Sequence, residues 1–281
     1  MCRHGHRGRR RGVIAPYLGI HPSAVIEDGA QLGQDVNIGP FCHVGPGVVL
    51  GDGCSLHSHV VIQGETSLGD ETEVYPFASL GAAPQDKKYA GERTMLVIGA
   101  RNVIREYVTV QPGTHGGGGV TRVGDRGLFM VGSHIAHDCQ IGDDVILVNH
   151  VSLGGHVVVE DAAIIGGLSG VHQFCRIGRH AMVGAHSMIV RDVLPYTTVT
   201  GPRAHLAGLN LVGLKRHGFD NDVRRQLQDI LDALFAEPGT TEQRLEEIRR
   251  LNGFTSDGPA QNLITFLTQA TKGRGFTGPL E

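Results

Sequence analysis

Residues 26–81 read IEDGAQLGQDVNIGPFCHVGPGVVLGDGCSLHSHVVIQGETSLGDETEVYPFASLG, and an aliphatic residue returns in them every six positions. From Ile26 it recurs at Leu32, Ile38, Val44, Leu50, Leu56, Ile62, Leu68, Val74 and Leu80, with glycine directly after it at Gly33, Gly39, Gly45, Gly51, Gly69 and Gly81. A period of six is neither the 3.6 of a helix nor the two of a half-buried strand. It fits a solenoid in which each hexad gives one short strand and a turn, and three hexads close a triangular coil. The aliphatic side chains then point inward and stack coil upon coil, because no single coil can bury its own apolar side. Glycine, aspartate and asparagine are expected to supply the corner geometry that β-branched residues resist.

Outward from this stretch the pattern resumes at Ile98, Ile104 and Val110, breaks across Gly113 to Gly119, and restarts at Val123, holding to Ile189. The two breaks, AAPQDKKYAGERTMLV at 82–97 and GTHGGGGVTR at 113–122, are expected to leave the prism as loops. Loops on a rigid scaffold carry binding groups, although neutral insertions would look the same. The period ends near Pro195. Residues 220–237 then place Val223, Leu227, Ile230, Leu231 and Leu234 on one helical face, with Gly239 as a stop. Further helices are expected over 240–251, and over 259–271 after Ser256 and Asp257. The chain thus reads as an all-β solenoid plus α: a parallel β-helix over 13–202 and a helical domain over 203–281. The basic leader MCRHGHRGRRRG, 1–12, reads as a disordered extension.

Composition narrows the function. Among 281 residues there are 42 glycines with no period of three, which excludes collagen. A net charge of −3 gives no reason to expect nucleic acid as a partner. The five cysteines, at 2, 42, 54, 139 and 175, form no CxxC pair, so they read as reduced, buried thiols rather than metal or redox ligands. No apolar stretch is long enough for a secretory signal or a membrane span, and a cytoplasmic protein without stable membrane insertion is expected.

Chemistry is located by the eighteen-residue coil. His137 and Gln173 are two coils apart and Gly155 lies at the same phase between them, so all three share one edge of the prism; His156 follows one residue out of phase. His137 is followed by Asp138. An imidazole whose second nitrogen is held by a carboxylate is a suitable general base near neutral pH. Of the sixteen histidines, His43, His57, His59, His180 and His186 are expected to be plain surface residues.

The segment GSHIAHDCQIGDDVILVNHVSLGGHVVVEDAAIIGGLSGVHQFCRIG at 132–178, with PQDKKYAGE upstream and NLVGLKRHGF downstream, closely resembles the UDP-N-acetylglucosamine 3-O-acyltransferase family of lipid A biosynthesis. The likeness runs from about residue 13 onward. It implies a left-handed coil, which the period alone does not fix, since most parallel crossovers are right-handed. The resemblance also implies transfer of a 3-hydroxyacyl chain from acyl carrier protein to the 3-hydroxyl of UDP-N-acetylglucosamine, by a homotrimer, with no metal or other cofactor. In that reading His137 is the general base, Asp138 orients it, and the Gly155 amide stabilises the oxyanion. His134, His156 and His172 support the site, and Gln173 contacts substrate near the thioester. Gln85, Asp86 and Lys88 hold the sugar nucleotide, Asn210, Arg216 and His217 bind the nucleotide further downstream, and Ala185 limits acyl length.

Three positions depart from the family pattern: Gln111 stands where some members have His, Val212 where an acidic residue can contact the nucleotide, and His217 where a second Arg stands. N-acylation of the 3-amino analogue of the same sugar remains open. From another class, a γ-type zinc carbonic anhydrase uses the same prism, but its paired histidines lie five apart. Here His134 and His137 are three apart and His150 and His156 six.

Overall fold

In a computed structural model of the chain, Val44, Ile62, Leu80, Val110, Ile135, Leu153, Val171 and Ile189 form one unbroken inner column, none more than 4% exposed. The structure describes residues 18–236, 241–250, 258–269 and 275–280. The 1–12 extension, Gly239, Ser256 and Asp257 lie outside the described residues. Each member of the column pairs in parallel with the next one coil on. Two further columns complete the triangle. The first sheet runs from Val25–Ile26 to Met188–Ile189 in nine strands, and the second from Gln31–Leu32 to Arg176–Ile177 in eight. The third has ten, from Asn37–Ile38 to His205–Leu209. Each inward aliphatic contributes about 1.5–3 kcal/mol by leaving water.

At several coils of the second sheet the glycine that follows the aliphatic has a different role from the one expected. At Gly51 a Cβ would fall 2.4 Å from Asp70 Oδ1. That oxygen reaches back across the coil to accept from Asp52 N at 2.9 Å, and Asp52 Oδ1 accepts in turn from Gln34 N at 2.8 Å. Asp143 and Asp161 repeat the device on Asp125 N and Asp143 N. Glycine here makes room for a carboxylate one coil on. The left-handed corner positions are held largely by other residues, among them Phe41, Phe77, Asp138, His156 and Phe174, with φ between 58° and 68°. Such conformations cost about 1–3 kcal/mol each and persist only where the surroundings over-determine them.

Both breaks in the period are shorter than expected. Strand Met95–Ile98 pairs with Glu65–Leu68 and with Val120–Val123, so Met95 to Val97 and Val120 to Arg122 belong to the second sheet. The reason is that Leu96, Thr66 and Thr121 fill the interior ahead of the resumed aliphatic period. The 113–122 loop retains only a short 3-10 turn at His115–Gly117.

The expected helical domain begins later than 203. Thr197–Thr200 and His205–Leu209 pair antiparallel and close the third sheet, because Val199, Leu206 and Leu209 cap the column. Among the described residues four helices follow: α1 (Leu211–Arg216), which the periodicity did not disclose, α2 (Asn221–Phe235), α3 (Thr241–Arg249) and α4 (Gly258–Thr268). Asp220 caps α2 by accepting from Val223 N at 2.8 Å, and Leu227, Ile230, Leu231 and Leu234 are buried on the expected face. Arg176 ties α4 to the prism, donating to Asp192 Oδ2 and Phe266 O while lying over the Phe266 ring.

Cys42, Cys54, Cys139 and Cys175 are buried, and burial pushes the Cys139 thiol up to about 12. Two histidines expected at the surface are not there. His57 is 8% exposed, paired with Glu73 at 2.9 Å and stacked on Tyr75; His180 is half-buried against Tyr196 and Phe219. Among the described residues no helix is long and apolar enough to cross a membrane.

Candidate active site

The edge between the first and second sheets carries His137, Gly155 and Gln173 on successive coils. His156 N donates to His137 O at 3.0 Å, and Phe174 N to Gly155 O at 3.1 Å, which fixes the stacking that the eighteen-residue phase predicts. His137 Nδ1 lies 2.7 Å from Asp138 Oδ2. With Nδ1 committed to the carboxylate, Nε2 is the nitrogen left to accept a proton.

Asp138 is itself held by the second break. Thr114 N donates to Oδ1 at 2.8 Å and Thr114 Oγ1 to Oδ2 at 2.6 Å, while Thr121 Oγ1 accepts from Asp138 N at 2.8 Å. The loop comes this close because residue 117 is glycine: a Cβ there would stand 2.0 Å from the Asp138 carboxyl carbon. Burial pushes the Asp138 carboxyl up, but hydrogen bonds from Thr114 and His137 outweigh it and hold the group below the usual carboxylate range. His156 Nε2 approaches Oδ2 to 3.7 Å, with its ring edge-on to His137 and stacked on Phe174 at 4.4 Å.

Gly155 faces the reactive side of His137. A Cβ on it would sit 2.6 Å from Cε1 and 2.7 Å from Nε2. Among the described residues its amide donates to no protein acceptor. The site therefore offers a base and an uncommitted N–H donor side by side, the two groups that addition to a carbonyl requires.

A cleft of about 430 Å³ opens on this edge and the adjoining face of the first sheet, lined by Gln85, Gln111, His134, His137, Gly155, His172 and Met188 among others. His134 lies 2.7 Å from Thr109 Oγ1; burial, then the nearby His137, lower its pKa. Gln111 anchors the first loop by accepting from Gln85 N at 3.2 Å. Asp86 turns inward on its own loop and accepts from Lys88 N at 3.0 Å. Gln173 and Lys88 are exposed.

Asn210, Arg216 and His217 lie elsewhere, at the edge between the second and third sheets. The His217 ring meets His180 at 4.7 Å, and Asn210 caps α1 through Gly213 N while donating to His180 O. Ala185 is exposed at the third edge, outside the cleft lining. Thr114 and Thr121 were not foreseen. The run of glycines marked the loop, but nothing in its spacing says which hydroxyl returns to Asp138.

His137, Asp138 and His156 also form a trio whose donor atoms lie within 4.8 Å of one another, a spacing that could hold a metal ion. Oδ2 already accepts from both His137 and Thr114, so a cation would have to displace two donors.

Comparison with known proteins gives this geometry a context. The family described as UDP N-acetylglucosamine O-acyltransferase, domain 2, matches residues 192–277, and the bacterial transferase hexapeptide family matches residues 29–64. An acyl-(acyl-carrier-protein) UDP-N-acetylglucosamine O-acyltransferase of Rhizobium johnstonii is 47% identical over 237 residues, 84% of this chain and 87% of the relative. The chain belongs to the UDP-N-acetylglucosamine O-acyltransferase family. A Paracoccus denitrificans protein of the same name is 66% identical over 161 residues, 57% of this chain; that match spans 62% of the Paracoccus protein. The UDP-N-acetylglucosamine O-acyltransferase of Moraxella catarrhalis superposes with a TM-score of 0.87 at 40% identity, covering 92% of this chain and 99% of its own. The fold of the chain is thus the left-handed parallel β-helix with C-terminal helices that the resemblance implied.

Proposed function

We propose that the chain transfers a 3-hydroxyacyl group from acyl carrier protein to the 3-hydroxyl of UDP-N-acetylglucosamine, the first step of lipid A biosynthesis, as a cytoplasmic homotrimer. The observation that carries the chemistry is the free Gly155 amide beside His137 Nε2, with Nδ1 held on Asp138. His137 Nε2 takes the sugar hydroxyl proton and the oxygen attacks the thioester carbonyl, forming the C–O bond. The oxyanion accepts from Gly155 N–H, a type of contact worth about 3–4 kcal/mol. Collapse breaks the C–S bond, and the thiolate leaves with the proton returned by His137. Asp138 stabilises the imidazolium and stays ionised throughout, as its lowered pKa requires. These steps call on no metal or redox group.

His134, His156 and His172 would shape the pocket, Gln173 would meet the pantetheine end, and Gln85, Asp86 and Lys88 would hold the sugar. Arg216 would pair with the diphosphate through its forked donors. Arg216 and His217 lie on a different edge of the prism from His137, which supports a site assembled between neighbouring copies of the chain.

The test is mass spectrometry of products formed from UDP-N-acetylglucosamine and a mixture of 3-hydroxyacyl carrier proteins. An alkali-labile UDP-sugar ester is expected. Product only from the 3-amino sugar, stable to alkali, would replace the hydroxyl acceptor by an amine. No product from either would reject acyl transfer to this class of acceptor.

A further inference from the structure

The first loop, 82–94, borders the cleft at Gln85 and reaches the second loop, 113–119, through the side chain of Glu92. Glu92 gives one carboxylate oxygen to each loop. Oε2 accepts from Ala90 N at 2.8 Å, just beyond the segment that carries Gln85, Asp86 and Lys88. Oε1 accepts from His115 N at 3.3 Å, at the start of the turn His115–Gly117. The first loop is itself braced around this residue: Tyr89 N donates to Asp86 O at 3.0 Å and Tyr89 Oη to Glu92 O at 3.1 Å. The Ala90 amide leads the hydrogen bonds that hold the Glu92 carboxyl below the usual carboxylate range, so the bridging group is an anion at neutral pH.

His115 directly follows Thr114, the residue on which the second loop converges. Gly117 N and Gly119 N donate to Thr114 O at 3.0 and 2.9 Å, while Thr114 N and Oγ1 hold the two oxygens of Asp138. The ends of the loop are fixed to Met95 by backbone bonds, Gly113 N to Met95 O at 3.1 Å and Met95 N to Gly119 O at 2.8 Å. These place the base of the loop, and the Glu92 carboxylate holds its turn from the side of the first loop. A path of hydrogen bonds and one peptide link thus runs from Ala90 through Glu92, His115 and Thr114 to Asp138 and His137. We infer that Glu92 is a positioning residue for the transfer, keeping the segment that meets the acceptor sugar in register with the base. The inference rests on the acyltransferase reading of the site.

The test pairs Glu92→Gln with Thr114→Val in the full chain. An amide has one acceptor oxygen, so glutamine cannot serve Ala90 N and His115 N together, and the bridge opens whichever way it turns. Misplacing a reacting group costs about a hundredfold, so a base that is loosened but still present is expected to lose about tenfold in kcat with UDP-N-acetylglucosamine and a 3-hydroxyacyl carrier protein. On the Thr114→Val background the same change should cost less than about twofold, because both residues act through Asp138. Arg93→Gln, which removes the neighbouring pair with Glu65, should leave kcat near that of the wild type. A rise in KM for the sugar with kcat kept, or a full tenfold loss on both backgrounds, would overturn the inference. Hydrogen exchange of the ligand-free protein, followed by mass spectrometry, reads the tie without turnover. Peptides covering 113–119 should exchange severalfold faster in Glu92→Gln, with those over 141–153 unchanged. Unchanged exchange over 113–119, or faster exchange over both stretches, would reject the positioning role. Faster exchange confined to 113–119 in a protein that makes no sugar ester would keep the tie between the loops and fail only the acyltransferase reading.

Discussion

Gly155 lies directly against the His137 ring, so closely that a methyl group there would come within 2.6 Å of Cε1. The ring is held from behind by Asp138 and has no room to retreat while that hydrogen bond is kept. Gly155→Ala is therefore expected to swing His137 off the carboxylate and lower kcat/KM by about a hundredfold or more, as misplacement of a reacting group does. The thermal midpoint should change little by comparison, since the ring can turn toward the open cleft. Steady-state kinetics alongside thermal unfolding would check both.

Thr114→Val removes the hydroxyl that donates to Asp138 Oδ2 at 2.6 Å. A hydrogen bond to a charged group contributes about 1.5–3 kcal/mol, so the variant should be less stable at neutral pH by roughly that amount. The sign with pH follows from the depressed Asp138 pKa: its stabilisation is present above the unfolded carboxyl pKa and is lost as pH falls through the folded one. The gap between wild type and variant should accordingly narrow in acid. Denaturant titrations at pH 7 and pH 3 would show this; an equal gap at both values would mean that Thr114 does not act through the charge of Asp138.

His180 gives a second dependence on pH. Burial, together with His217 and Arg179, depresses its pKa to about 4, and its Nδ1 is buried without a partner among the described residues. The unfolded chain binds this proton more readily, so stability is complete above the unfolded pKa of about 6.5 and declines as pH falls toward 4. With solvent screening of this half-buried ring, the loss should be on the order of 1–2 kcal/mol. His180→Phe should flatten that part of the stability–pH curve, which is read from unfolding midpoints between pH 7 and 4.

Exhaustive chelation should leave the transfer rate unchanged, because Asp138 Oδ2 serves two hydrogen-bond donors instead of a cation. The measurement is product formation before and after chelation, with elemental analysis of the protein. A rate lost on chelation and restored by zinc would reassign the His137, Asp138 and His156 trio to metal chemistry.

Much of this was legible from the six-residue period. Once its phase is known, Ile135 and Leu153 must point inward and His137, Gly155 and Gln173 must share an edge, because the backbone ladder leaves no slack between coils. What breaks the period escapes such reasoning. Thr114 reaches Asp138 only through a glycine loop with no repeat of its own, and Met95 to Val97 pair as strand because Leu96 fills the interior out of phase. Glycines such as Gly33 and Gly51 were visible, but their reason, the carboxylate of Asp52 or Asp70 on the next coil, needs the coils side by side. His57 and His180 are buried by neighbours on other coils, Tyr75 and Tyr196, that carry no mark in the sequence.

The most direct test of the chemistry is the rate of His137→Ala with UDP-N-acetylglucosamine and a 3-hydroxyacyl carrier protein, measured by product mass spectrometry on protein shown to keep its thermal midpoint. Loss of a general base lowers rates by about 10²–10⁴-fold, and a fall of that size is the expected result. A variant that keeps a rate near that of the wild type would contradict the role of His137 and move the reaction to another part of the prism.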